Sequence, residues 1–398
     1  MADVQTGRPL ARRMADIEPF HVMDILARAR AMEAEGRSVI HMEVGEPDFI
    51  SPQSIIDAGV QALQQGKTHY TPALGLTALR EAIADYYQHR YGVTVAAERI
   101  IITPGASGAL QLALGVLINP GDQVLMADPG YPCNRHFVRL FEGQAVSIPV
   151  DADSAYQLNA GLIEQHWQAT TIAAMLASPS NPTGTVIDQA ELSAVLSVVA
   201  ARGGCTLVDE IYHGLIYNVG GNAAGVTTAL ALSEDVFVIN SLSKYFGMTG
   251  WRLGWLVAPK AYVDSIDRLA QNIFLAPSTP AQYAALAAFE PVTLAELDRR
   301  RDEFQERRDF LLPALRKLGF DIPLTPQGAF YLYAGCSRFT DDSYAFALDI
   351  LEQVGVALTP GRDFGDYQAG QHVRFAYTTS IDSLKQGVER LGQYLRKG

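Results

Sequence analysis

Cysteine is scarce in this chain. Three residues, Cys133, Cys205 and Cys336, are too few and too scattered over 398 positions for a disulfide framework or a cysteine-rich zinc site, and they fit a reducing cytoplasm. No metal centre is expected. Long apolar runs are also missing: no stretch approaches the ~20 residues of a membrane span. The opening MADVQTGRPLARRMADIEPF has basic residues but lacks the apolar core of a secretory signal. A cytoplasmic protein without a membrane segment is the expectation. Positive charge is in deficit too. Lys plus Arg numbers 31 against 43 Asp plus Glu, a formal net charge of −12, so the long-range field repels phosphate backbones and anionic lipid surfaces. Nucleic acid is therefore not expected as a principal ligand. There is no internal repeat, low-complexity tract or long linker.

What is present is globular composition, 48% hydrophobic and 19% charged. At roughly 150 residues per domain the length points to two domains. Between residues 99 and 258 short β-rich apolar runs alternate with amphipathic stretches, the pattern of an α/β fold. The candidate strands are 99–103, 123–127, 145–150, 172–178, 205–210, 236–241 and 252–258. Helical stretches lie at 106–118 and at 188–203, the second opened by Asp188 and closed by Gly203. These crossovers imply a mostly parallel seven-stranded sheet between helices, in a large domain assigned to residues 46–290. After Pro291 the texture changes to a charged helix over 293–319 and mixed α and β material. A smaller α+β domain is assigned to residues 1–45, with their helical stretch at 22–36, and 291–398.

Turns that follow parallel strands collect at one sheet edge, where ligands bind in open α/β folds. Four of them stand out. TPGASGALQ, residues 103–111, runs small residues into a helix start that suits a phosphate, although it is neither a Walker loop nor GxGxxG and narrowly misses the GxSxG elbow. SPSNPTG (178–184) presents Asn181, and VDEIYHG (208–214) places Asp209 and Glu210 at a strand end with Tyr212 beyond. NSLSKYFGMTGWRLGWLVAP (240–259) holds Lys244 among Ser241, Ser243 and Tyr245, with Arg252 eight residues on. Taken singly, each reads equally as a plain turn, a helix cap or a surface lysine. A lysine that acts as a nucleophile, commonly through a Schiff base, needs a pocket that holds its pKa down.

Taken together with VGEPDF (44–49), HYTPALGLTALREAIA (69–84), DPGYP (128–132) and VRFAYTTS (373–380), these segments occur in an order and spacing that resemble the fold-type I, pyridoxal 5′-phosphate dependent aminotransferases of classes I and II. The resemblance covers nearly the whole chain. It implies that Lys244 bonds covalently to the cofactor and later shuttles a proton, and that Asp209 pairs with the pyridine nitrogen. It further implies that Asn181 and Tyr212 hydrogen-bond the phenolate oxygen and that Tyr131 stacks on the ring. The phosphate would lie on the backbone of Ala106 and Ser107, with Ser241, Ser243 and Arg252 as side-chain donors. Arg374 would grip the substrate's α-carboxylate, helped by Asn181 and the backbone of Gly45. Tyr70 would reach the phosphate of a partner subunit, which implies a homodimer with shared sites.

The implied substrates are an L-amino acid and a 2-oxo acid such as 2-oxoglutarate or pyruvate. The pattern departs from the aspartate-preferring branch at Ser107, where that branch carries a lysine for the distal carboxylate. Phe20, Val22 and Tyr331 are candidates for a less polar pocket. Two other classes share these motifs: a carbon–sulfur β-lyase, and a regulator using the fold as an effector sensor. The latter is disfavoured because only about 40 residues precede VGEPDF and the charge is −12.

Overall fold

The seven apolar runs pair into one sheet in the computed structural model, which describes residues 9–217 and 227–396. Numbering in chain order, β1 is the short strand Ile40–His41, and the sheet comprises β2 (Ile100–Thr103), β3 (Gln123–Asp128), β4 (Gln144–Pro149), β5 (Thr171–Ala177), β6 (Cys205–Asp209), β7 (Val236–Ser241) and β8 (Gly254–Val257). Their spatial order is β2-β8-β7-β6-β5-β3-β4. The pairs from β4 through β7 are parallel, while β8 runs antiparallel to both β7 and β2. Strand alternation explains why the runs read as continuously apolar. Ile100, Ile102, Val208 and Val238 feed one core, while Ile101, Leu207, Phe237 and Ile239 feed another.

The expected run 252–258 contracts to Gly254–Val257 because Arg252 has φ +54, a left-handed backbone that lies outside a strand. Helices Gly105–Leu117 and Gln189–Ala201 fall where the sequence pattern puts them, and the Asp188 side chain accepts the Glu191 N–H at 2.9 Å. The charged helix spans Pro291–Leu318 and ends at Gly319, whose φ of +102 needs no side chain.

The remaining strands are β9 (Tyr331–Gly335), β10 (Val356–Ala357), β11 (Thr359–Pro360) and β12 (His372–Ala376). Three of them make an antiparallel sheet in the order β11-β12-β9, and β10 pairs in parallel with β1. Helix His21–Ala34 packs against helix Ser343–Val354 and β11, so the first part of the chain joins the last part. Among the described residues no helix is long and apolar enough to cross a membrane.

Candidate active site

The carboxyl ends of β2, β5, β6 and β7 carry the four unusual turns. Because β8 is reversed, its beginning lies beside the end of β7 and brings Arg252 to the same edge. After β7 the chain tightens: the buried Ser241 hydroxyl donates to the Leu253 carbonyl at 3.3 Å and accepts the Ser243 N–H at 3.0 Å. Lys244 follows, and its Nζ donates to the Gly45 carbonyl at 2.8 Å and lies 5.9 Å from the centre of the Tyr212 ring. Burial lowers the Lys244 pKa from 10.5 to about 8, with the positive charges of Arg374 and Arg252 acting the same way. A neutral amine is thus present near neutral pH.

Asp209 ends β6 and is 5% exposed, with Oδ1 accepting the Ile211 N–H at 3.0 Å. Burial raises it to about 7, the neighbouring Glu210 adds to the shift, and Lys244 opposes it. The adjacent acid has another task. Glu210 accepts from the Thr228 hydroxyl at 2.8 Å and the Ala229 N–H at 2.8 Å, which anchors the turn before β7.

Two glycines shape a cradle between helix Gly105–Leu117 and Arg252. Gly105 has φ +69, and a Cβ there would lie 2.7 Å from Arg252 Nη2; a Cβ on Gly254 would lie 2.8 Å from the Ala106 nitrogen. No side chain caps the start of that helix. That helix start shares one cavity with the Arg252 side chain and with Ser107, Ser241 and Ser243.

Arg374 stands on β12 and is 5% exposed. Its Nη1 donates to Asn181 Oδ1 at 2.9 Å, and its Nη2 donates to the Glu43 carbonyl at 2.6 Å and to the Thr359 hydroxyl at 3.2 Å. The guanidinium lies 4.2 Å from the centre of the Tyr331 ring and 4.9 Å from that of Phe364. Tyr331 shares a 2.8 Å hydrogen bond with Tyr212. Gly45 permits that placement, since a Cβ there would fall 1.9 Å from the Tyr331 hydroxyl.

One cavity of about 460 Å³ takes in Gly45, Ala106, Ser107, Tyr131, Asn181, Asp209, Tyr212, Ser241, Ser243, Lys244, Arg252 and Arg374, together with Phe20, Val22 and Tyr331. Tyr70 does not line it and is 83% exposed. Sequence reasoning missed Leu110, Ile211 and Val44, apolar lining residues that read as core. It also gave no role to Glu46 of the GEPDF segment; the Thr249 hydroxyl donates to the Glu46 carboxylate at the cavity's edge.

The family model for aminotransferase class I and II matches residues 37–391. The chain is 36% identical to the (5-formylfuran-3-yl)methyl phosphate transaminase of Methanocaldococcus jannaschii, over 98% of this chain and 100% of that protein. It is also 36% identical to the valine–pyruvate aminotransferase of Mycobacterium tuberculosis, over 96% of this chain and 97% of that protein. Among solved structures, an aminotransferase from Mycobacterium tuberculosis superposes with a TM-score of 0.94 at 36% identity, covering 98% of this chain and 100% of that one. These relatives are transaminases matched end to end, which favours group transfer over the lyase and regulator alternatives. The chain belongs to the class I and II aminotransferases, enzymes that move an amino group between an amino acid and a 2-oxo acid.

Proposed function

We propose that this aminotransferase runs a ping-pong exchange with pyridoxal 5′-phosphate, the cofactor its family is known to use, held in the cavity at the sheet edge. The observation that carries the reading is the convergence of Lys244, Asp209, Arg252 and Arg374 on that one cavity. The donor set fits the group. The N–H groups of Ala106 and Ser107, the hydroxyls of Ser241 and Ser243 and the Arg252 fork suit a phosphate dianion. Asp209 would keep a proton on the pyridine nitrogen, and Tyr131 would cover the ring. Asn181 Oδ1 is occupied by Arg374, which leaves its amide N–H free to join Tyr212 in donating to the phenolate oxygen. When bound, the cofactor supplies an electron sink for the bond broken at the amino acid's α-carbon.

The chain's own residues do the rest. Lys244 provides the covalent attachment. Once an incoming amino acid displaces it, the freed Nζ takes the α-proton and redelivers it, a task matched by a pKa of about 8. Arg374, helped by Asn181 and the Gly45 backbone, holds the α-carboxylate and so fixes which bond faces Lys244. A second 2-oxo acid, 2-oxoglutarate or pyruvate, reverses the sequence. Among the described residues the cations lining the cavity are Lys244, Arg252 and Arg374, each with a role already, and Ser107 offers only a hydroxyl. A donor with a neutral or aromatic side chain suits this lining better than aspartate. The relative whose name pairs valine with pyruvate agrees with that choice.

The working unit is a homodimer. Tyr70 is exposed, and so are Ile50, Val60 and Leu63, on or just before helix Gln53–Gln64, and Ile273 and Leu275, at and just beyond the end of helix Val263–Ile273; helix Gln53–Gln64 packs on helix Thr279–Leu286. Tyr70 would complete the partner's phosphate site. Each subunit divides into a large domain, 46–290, and a small one built from 1–45 and 291–398, and the β1–β10 pair supports that division. The unpaired cysteines agree with a reducing cytoplasm.

The half-reaction is the test. Purified enzyme given one amino acid loses the absorbance of the aldehyde form of the cofactor, and a 2-oxo acid restores it. Near-normal turnover by Lys244→Ala would overturn the assignment.

A further inference from the structure

The start of helix His21–Ala34 is held from far away. A helix start leaves backbone N–H groups without intrahelical partners, and Phe20 supplies no side-chain cap here. Asp363 takes two of them: the His21 N–H donates to Oδ1 at 2.8 Å and the Val22 N–H to Oδ2 at 2.9 Å. The carboxylate is 3% exposed and ends the short turn Gly361–Asp363 that follows β11. The same loop reaches two other places. Phe364 packs 4.9 Å from the Arg374 guanidinium, and its carbonyl accepts the Gly130 N–H at 2.8 Å. Asp366 and Tyr367 donate their N–H groups to Asp128 Oδ2, at the end of β3, at 3.0 and 3.2 Å.

Phe20 and Val22, at this clamped start, line the cavity, as do Leu110 and Val44. Upstream, the chain is tied to and just beyond helix Cys133–Leu140 by Arg139–Asp16 at 2.6 Å, Arg13–Glu142 at 3.6 Å and Arg135–Glu18 at 3.8 Å. Exposed pairs of this kind contribute little and weaken with salt. The buried carboxylate is the firmer attachment, because it serves two N–H donors and also meets the positive end of the helix dipole.

We propose that Asp363 is a positioning residue for donor selection: by clamping the helix start it sets Phe20 and Val22 as the wall that receives a large apolar donor side chain. The spacing between that wall and Arg374 is then governed by one short loop, since Asp363 holds the wall and Phe364 packs on the arginine. The inference rests on the site proposed above and deepens it by naming the donor class.

Asp363→Asn tests it. The amide keeps the size and one acceptor oxygen but loses the second acceptor and the charge, so one helix N–H is left without a partner. With holoenzyme and two probes, L-phenylalanine and L-alanine, the ratio of kcat/KM for phenylalanine over alanine falls about tenfold, the scale of a lost apolar contact, while alanine itself changes little. A second readout needs no turnover. In wild type, 3-phenylpropionate, a carboxylate with an aromatic chain and no amine, slows tryptic cleavage after Arg12 and Arg13; in Asp363→Asn it does not.

Phe20→Ala, with the clamp intact, must lower the same ratio, which keeps the inference testable if Asp363→Asn folds poorly. Equal losses for both donors, an unmoved ratio in Phe20→Ala, or equal protection of both proteins from trypsin overturns it. So does a wild type that prefers alanine. If wild type transfers from no amino acid, the proposed function fails instead, and the trypsin experiment still decides the clamp.

Discussion

At the scale of single residues, the site depends on charge placed where burial makes it costly. Lys244 is held at about 8, against 10.5 for a free lysine, by desolvation first and by Arg374 second. The direction sets a clear expectation. In cofactor-free protein, the neutral, nucleophilic fraction of Lys244 is a minority below pH 8 and the majority above it. Reductive trapping with a small aldehyde, read by peptide mass spectrometry, gives a rate that rises to a midpoint near 8 and then levels, whereas exposed lysines keep gaining towards about 10. Replacing Arg374 with Gln removes a positive neighbour, so the midpoint moves up. A Lys244 profile that climbs through pH 10 would refute the buried setting. Ser107 carries the donor prediction. Burying a second carboxylate against a hydroxyl costs more than the contact returns. Wild type therefore has a higher kcat/KM for neutral and aromatic donors than for aspartate, and Ser107→Lys shifts the ratio towards aspartate by about tenfold or less, within the range of one exposed-to-buried charge contact. Steady-state kinetics with both donor classes checks it, and wild-type preference for aspartate over all such donors would refute it.

At the scale of elements, the helix start at Gly105 and the reversed strand β8 make one device. The left-handed φ of Gly105 and the closeness of Arg252, whose Nη2 would lie 2.7 Å from a Cβ at that position, act separately, and they can be separated by experiment. Gly121 has φ +91 with nothing within 4 Å of where a Cβ would sit, so Gly121→Ala reports backbone strain alone, about 1–2 kcal/mol. Gly105→Ala carries similar strain but also displaces the guanidinium, so only this variant weakens cofactor binding, by about tenfold or more for a lost charge-assisted contact. Calorimetric titration of the cofactor, beside thermal melts of both variants, distinguishes the two effects. Equal cofactor affinity in both would show that Arg252 is not held by this approach.

The same elements show what a sequence reveals. The seven sheet strands were legible because a sheet buried on both faces writes itself as apolar runs, and Asp188 and Gly203 were legible because caps are local. The two-residue strands β1, β10 and β11 leave no periodic trace, and the reversal of β8 is made by the connection 242–253, which no local pattern marks as a reversal. The lining residues named from motifs sit in short, distinctive loops. Asp363 was not legible, because its partners His21 and Val22 lie about 340 positions away and an acid in a GRDFG segment reads as an ordinary turn. Leu110 and Ile211 were hidden for the opposite reason, since an apolar residue in an α/β fold is core by default.

At the scale of the whole molecule, one chain does not account for Tyr70. It sits in the HYTPALGL segment yet is 83% exposed and outside its own cavity, while the backbone beside it is held in place: the Thr279 hydroxyl donates to the His69 carbonyl at 2.7 Å. An anchored loop presenting a bare aromatic ring, on a chain that also exposes Leu63 and Leu275, is what the proposed dimer would cover. In the two-fold dimer proposed above, each site would take Lys244 from one subunit and Tyr70 from the other. Lys244→Ala and Tyr70→Ala chains are each inactive or severely impaired as homodimers. Refolded or co-expressed together they form heterodimers in which one site carries both lesions and the other carries neither. Mixing therefore restores activity, towards about a quarter of wild type for random equal pairing, since half the dimers are mixed and each holds one intact site. Activity of the mixture is measured against each parent after confirming subunit exchange by native mass spectrometry. If exchange is complete and no activity returns, or if a demonstrably monomeric preparation retains full activity, the shared site is wrong and Tyr70 serves only its own surface.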